Sequence, residues 1–137
     1  MARVVVDSSI VVKWFLQEEG SEIARHLDPA QLDAPDLLLA ECCNVFWRKA
    51  KIGEFTADEA FESASALSSA PISLHPMSGS MAENALRIAV QLDHPVYDCV
   101  YLALAVETGL QLLTADQRLF RAASRDEAFE PLVELLA

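Results

Sequence analysis

RVVVDSSIVVKWFLQE, residues 3–18, opens with an apolar run that stops at an acid. Residues 3–6 read as a short buried strand, because a brief continuous apolar run of β-branched residues suits a strand covered on both faces. Asp7, Ser8 and Ser9 interrupt it. Ser8 or Ser9 can cap a helix running to about Glu18. The β-branched run Ile10–Val12 equally suits a continued strand, but the shared face of Ile10, Trp14 and Phe15 favours the helix.

The rest of the chain continues the alternation. SEIARHL, opened by Gly20 or Ser21, reads as a helix that ends before Pro29, and Leu32–Pro35 as a connector or a very short strand. Asp36 is placed to cap a long helix through about Lys51, with Leu37, Leu38, Glu41, Val45 and Arg48 at helical spacing and Gly53 as its stop. Thr56 with Glu59, and Ser80 with Glu83, have capping-box spacing. Between them, PISLHP reads as a strand. His94–Pro95 breaks the chain, Tyr97–Asp98 starts a helix that stops at Gly109, and LQLLT reads as a strand. Ala115–Asp116 leads to the short helix QRLFRAA, and PLVEL reads as a final edge strand. No repeat or low-complexity linker divides the chain, so residues 1–137 read as one α/β domain, a mostly parallel sheet flanked by helices. Sites in such sheets form beyond the carboxyl ends of strands.

Apolar residues make up 53% of the chain. Either a subunit interface or Ala- and Leu-rich helices would account for that share. There are 10 Lys and Arg against 21 Asp and Glu, a net charge of -11. That balance opposes a nucleic-acid partner unless the contact is local. Arg3, Lys13, Arg48, Lys49, Lys51, Arg118, Arg121 and Arg125 are the candidates for a local basic rim. Cys42, Cys43 and Cys99 have neither disulfide-framework nor zinc spacing and read as packing residues in a reducing compartment. No signal peptide or membrane-length apolar stretch is apparent, so a cytoplasmic location is expected.

Four acids lie against apolar sequence: Asp7 after RVVV, Glu41 inside LLLAECCNVFW, Asp98 before CVYLALAV and Asp116 after LLTA. Taken singly, Asp7 reads as readily as a structural residue, a helix cap or strand terminator, as a functional one, Asp98 as a helix cap and Asp116 as a turn residue. Glu41 is embedded in an apolar helical face, and a lysine or arginine partner is the structural explanation for it. Together, isolated acids beside buried runs suggest a site for a hard cation that acts on phosphate.

The stretches VVVDSS, LLLAEC, YDCVYLALA and LLTADQRLF, in this order and spacing, resemble the PIN-domain ribonucleases, and most closely the toxins of VapBC-type toxin–antitoxin systems. The resemblance covers nearly the whole chain and implies the three-layer PIN-like α/β fold. It implies Asp7, Glu41, Asp98 and Asp116 as the catalytic acids, with Ser9 and Thr114 supporting. It further implies Mg2+, or Mn2+, held by Asp7, Asp98 and Asp116, with Glu41 acting through water. The implied reaction is endonucleolytic cleavage of single-stranded or loop RNA, transfer RNA ahead of ribosomal RNA, which inhibits translation. A homodimer, a VapB-like antitoxin in a higher-order complex, and operator DNA bound only through the antitoxin are implied as well. About half of Trp14, Phe15, Phe46, Trp47, Phe55 and Phe61 are expected in the core, and the others in an antitoxin groove.

Rival chemistries find less support. Haloacid-dehalogenase-like phosphatases need a second aspartate where Ser9 stands, and no GxxxxGK[ST] or GxGxxG loop is present. His26, His75 and His94 are scattered and read as surface or turn residues. A PIN nuclease of RNA processing, or a non-enzymatic metal-binding interaction module, remains the alternative.

Overall fold

In a computed structural model that describes residues 2–136, the chain forms one five-stranded sheet between helices, a three-layer α/β fold. Met1 and Ala137, the ends of the expected domain, lie outside the described residues. The strands are β1 (Val4–Val6), β2 (Leu32–Pro35), β3 (Ser73–His75), β4 (Leu112–Thr114) and β5 (Val133–Leu135). Their order is β3-β2-β1-β4-β5 and every pairing is parallel. The chain winds outward from β1 through β2 to β3, then returns to the other side of β1 with β4 and β5. The winding direction therefore reverses between β1 and β4, where an open parallel sheet leaves a crevice at its carboxyl edge. Val5 pairs with Leu112 and Val6 with Leu113, so Asp7 and Thr114 follow side by side into that crevice.

The helices are α1 (Ser8–Val11), α2 (Ser21–Arg25), α3 (Leu37–Lys51), α4 (Ala57–Ser69), α5 (Gly79–Leu92), α6 (Val96–Thr108) and α7 (Gln117–Ser124). The centre of the core is α6, in which Cys99–Ala105 are all buried and which packs on β1, β2 and β4. Such burial on every side requires an almost uninterrupted apolar sequence, as CVYLALA is. Gly109 (φ 71°) ends α6 in the left-handed region that glycine enters without a Cβ penalty. The Thr56–Glu59 capping box is present at α4, with both reciprocal bonds formed.

Several local expectations give way to tertiary contacts. The helix expected to reach Glu18 stops at Val11 and passes through a 3-10 turn, Val12–Trp14. Ile10, Val11 and Val12 are all buried, and the chain then folds back. The Trp14 indole donates to the Ala24 carbonyl (2.8 Å), and the Ser21 hydroxyl donates to the Leu16 carbonyl (2.8 Å) and accepts from the Glu18 amide (3.0 Å). Ser8 and Ser9 lie inside α1 rather than capping it; Asp7 holds the cap position without a side-chain cap bond. Asp36 precedes α3 but is itself helical, and its carboxylate accepts from the Met77 amide (3.2 Å) instead. Ser78, not Ser80, caps α5, while Glu83 pairs with Arg87. The helix α6 begins at Val96, so Asp98 sits in its first turn and does not cap it. Leu32–Pro35 is an interior strand with all four residues buried. Its Asp33 is neutralised by Arg3 (2.6 Å) and bonded by His75 (2.7 Å).

Candidate active site

Asp7 leaves the end of β1 with only 3% of its surface exposed. The Ser9 hydroxyl donates to Asp7 Oδ1 and the Thr114 hydroxyl to Oδ2. Each hydroxyl also accepts a backbone N–H from the loop after β4: Ala115 N donates to Ser9 Oγ (2.9 Å) and Asp116 N to Thr114 Oγ1 (3.0 Å). Two small hydroxyl residues thus tie the end of β1 to the loop that carries Asp116. Burial pushes the Asp7 carboxyl up to about 7, against the two hydroxyl bonds that favour its charge; the charges of Asp98 and Asp116 push it further in the same direction.

Glu41, on α3, finds no lysine or arginine partner among the described residues. The buried Tyr101 phenol of α6 donates to Glu41 Oε1 (2.6 Å), and Ser8 Oγ makes a longer contact (3.4 Å). Burial raises the Glu41 carboxyl above its ordinary value, the Tyr101 bond opposes this, and the Asp98 charge adds to it. Burial and the neighbouring Glu41 charge push the Tyr101 phenol far up, so it acts purely as a donor at neutral pH. Asp98 Oδ2 lies 2.7 Å from His94 Nε2. Asp116 caps α7, its Oδ1 accepting from the amides of Arg118 (2.9 Å) and Leu119 (3.3 Å).

The four acids come from the ends of β1 and β4 and from α3 and α6. Asp98 and Asp116 both act electrostatically on Asp7, and Asp98 acts on Glu41; Asp116 is not among the charges that bear on Glu41. Among the described residues, no three of His, Cys, Asp or Glu lie together as a ready-made coordination group. The donor set fits a hard divalent cation nonetheless. It is all carboxylate oxygen. Glu41, Asp98 and Asp116 each have one oxygen anchored by the bonds above, and their Oε2, Oδ1 and Oδ2 take no protein hydrogen bond among the described residues. Mutual repulsion at Asp7 is the penalty that a cation removes.

The sequence reading puts Asp7 after β1, Glu41 inside α3, Asp98 at the start of α6 and Asp116 before α7, where the structure has them, but it misses three partners. His94, read as a turn residue, has a side chain only 8% exposed and holds Asp98. His75, read the same way, holds Asp33. Tyr101 was read only as part of an apolar helix. The i, i+4 spacing of His94 and Asp98 was the available signal, but Pro95 between them obscured it. The basic rim also shrinks, because Arg3, Lys13 and Lys49 pair with Asp33, Glu18 and Glu54. Burial, with Glu41 nearby, pushes the Cys42 thiol far up; burial, with Asp98 nearby, pushes Cys99 up to about 11. Both therefore stay neutral, as packing residues do.

The fold belongs to a known class. Residues 4–125 match the PIN domain, and the chain belongs to that family. Within it, the chain is 33% identical over 121 residues to ribonuclease VapC3 of Pyrobaculum aerophilum, covering 85% of this chain and 92% of that protein. The fold also matches a toxin–antitoxin complex from Klebsiella pneumoniae, with TM-score 0.66 at 19% identity over 96% of this chain and 95% of that one. VapC20 of Mycobacterium tuberculosis, described as a sarcin–ricin loop cleaving toxin, matches with TM-score 0.69 at 16% identity over 87% and 94% of the two chains.

Proposed function

We propose that the chain is a divalent-cation-dependent endoribonuclease toxin of the VapC type. The observation that carries this reading is the buried Asp7, held by two hydroxyls at the sheet's switch point and pushed up to about 7 by its burial and its acidic neighbours. Asp7, Asp98 and Asp116 are the residues to hold Mg2+ or Mn2+, with Glu41 reaching it through water. When bound, the ion supplies Lewis-acid stabilisation and a nucleophilic water for phosphodiester hydrolysis. The chain's own residues supply orientation. Ser9 and Thr114 fix both oxygens of Asp7, Tyr101 turns Glu41 toward the mouth, and His94 leaves one oxygen of Asp98 free. Cleavage leaves a 5′-phosphate and a 3′-hydroxyl and needs no histidine as acid or base.

The substrate is single-stranded or loop RNA, with transfer RNA ahead of ribosomal RNA, and its cleavage inhibits translation in the cytoplasm. Among the described residues no helix is long and apolar enough to cross a membrane. The working unit is a single-domain protomer in a homodimer, neutralised by a cognate antitoxin that alone contacts operator DNA. Of the six aromatic candidates, Phe46 is buried and Trp14, Phe15 and Phe55 pack against the core, whereas Trp47 and Phe61 are exposed. Trp47 and Phe61 border an apolar groove of about 310 Å3 between α3 and α4, floored by Phe46 and Ala60, which suits an antitoxin segment.

The test is to map cleavage sites in total RNA with wild type and Asp7→Asn, each with magnesium and with chelator. Cleavage confined to wild type with magnesium is expected. Full cleavage by purified Asp98→Asn would overturn the mechanism.

A further inference from the structure

A second pocket opens beside the acids. It holds about 400 Å3 between α3 and the first turn of α6, and Ser8, Glu41, Asn44, Val45, Arg48 and Tyr97 line it. Two of its walls, Ser8 and Glu41, belong to the candidate site, so whatever fills the pocket is the immediate neighbour of the reacting group. Tyr97 is 63% exposed although it adjoins Asp98, and its hydroxyl has no hydrogen-bond partner among the described residues. Arg48 is exposed and has no carboxylate partner among the described residues, whereas Arg3, Lys13, Lys49 and Arg87 are each neutralised by one. In a chain of net charge -11, an unneutralised guanidinium beside a carboxylate site is the group an anion would meet.

The order along α3 is also informative. At 1.5 Å per residue, Asn44 and Arg48 lie about 4.5 and about 10 Å from Glu41 along the helix. An acid, an amide and a guanidinium thus follow one another down one wall, with Val45 between them and the Tyr97 ring opposite. A phosphate at the acids, a base between the ring and the amide, and the next phosphate at the guanidinium match that order.

We propose that this pocket is a nucleotide subsite that takes one unstacked base of single-stranded RNA beside the cleavage point. Tyr97 is its stacking platform and Arg48 its phosphate contact. The subsite rests on the nuclease reading and supplies what that reading lacks, a way for an acidic chain to hold RNA. Aromatic stacking tolerates any base and needs a base out of its helix, so the pocket selects single strands and loops over duplex. Asn44 is placed to read the base edge.

The test measures anisotropy of a fluorescein-labelled 12-nucleotide single-stranded RNA of mixed sequence on the full chain, in an Asp7→Asn background with magnesium. Tyr97→Leu is expected to weaken binding about tenfold, and Tyr97→Phe to stay within about twofold. Arg48→Gln is expected to flatten the salt dependence by about 0.7 in slope, the loss of one single-strand phosphate contact. A duplex of the same sequence should not respond to Tyr97→Leu. Both side chains are exposed, so thermal midpoints should not move. No binding, single-strand affinity unchanged in both variants, or a loss seen only toward a partner protein overturns the subsite. Cleavage by the otherwise wild-type chain is read separately. RNA bound through Tyr97 and Arg48 but never cut would sink the nuclease reading, whereas cleavage with KM indifferent to both variants would sink the subsite alone.

Discussion

Asp7 keeps its proton to about pH 7 although two hydroxyls favour its charge, because burial and the neighbouring charges outweigh two bonds. The native carboxyl binds its proton more tightly than the unfolded one, whose value is 3.8. Its favourable contribution is therefore complete below that value and is lost as pH rises toward 7. With metal chelated, Asp7→Asn removes a loss of at most about 4 kcal/mol at pH 7. The amide can accept from only one of the two hydroxyls, which costs about 1 kcal/mol. Chemical denaturation should find the variant more stable at pH 7 to 8 by up to about 3 kcal/mol, with the advantage gone near pH 4. A variant uniformly less stable than wild type would contradict this account. Tyr101 offers a second test at this scale. Tyr101→Phe deprives Glu41 of its 2.6 Å bond and leaves the longer Ser8 contact. A loss of about 1 to 3 kcal/mol in denaturation and a cleavage rate down about tenfold are expected.

At the level of elements, α6 organises the mouth. Its first turn presents Asp98, the turn before it supplies His94, and Tyr101 one turn on reaches across to α3. Partners of this kind orient ligands, and their removal typically costs 10- to 100-fold in metal affinity. Calorimetric titration with Mn2+ should show about that loss for His94→Ala and a smaller one for His94→Gln, which keeps a donor. Equal affinity in all three proteins would remove His94 from the site. Elements specified by local chemistry were legible in the sequence. The apolar run of α6, its glycine stop and the α4 capping box need only residues within a few positions of each other. Elements that depend on remote partners were legible only in part. β2 (Leu32–Pro35), read from the sequence as a connector or a very short strand, carries an aspartate and a proline, poor strand formers, and is held as a strand by Arg3, just before β1, and by His75 of β3. The helix after Asp7 is cut short by residues near 21–24, and the cap of α5 sits two residues earlier than the Ser80–Glu83 spacing implies.

For the whole molecule, charge sets the terms of binding. Of ten lysines and arginines, four are taken by carboxylates, and Lys51 lies over the Trp47 ring. Few cations remain to displace counterions from RNA. The slope of log affinity against log salt should be no steeper than about -2, equivalent to about three single-strand phosphates. A slope of -5 would demand a basic face that this surface lacks. Sequence alone determined the alternation of strand and helix and singled out four acids set against apolar runs, two after strands, one in the first turn of a helix and Glu41 a turn inside another, because these follow from short-range periodicity and the cost of isolated charge. Only the tertiary structure decided that the winding reverses between β1 and β4, that Ser9 and Thr114 clasp one carboxylate, and that His94 and Tyr101 serve the acids. Those contacts join residues brought together by the packing of β1, β4, α3 and α6, and no local pattern records which buried donor a distant acid will meet.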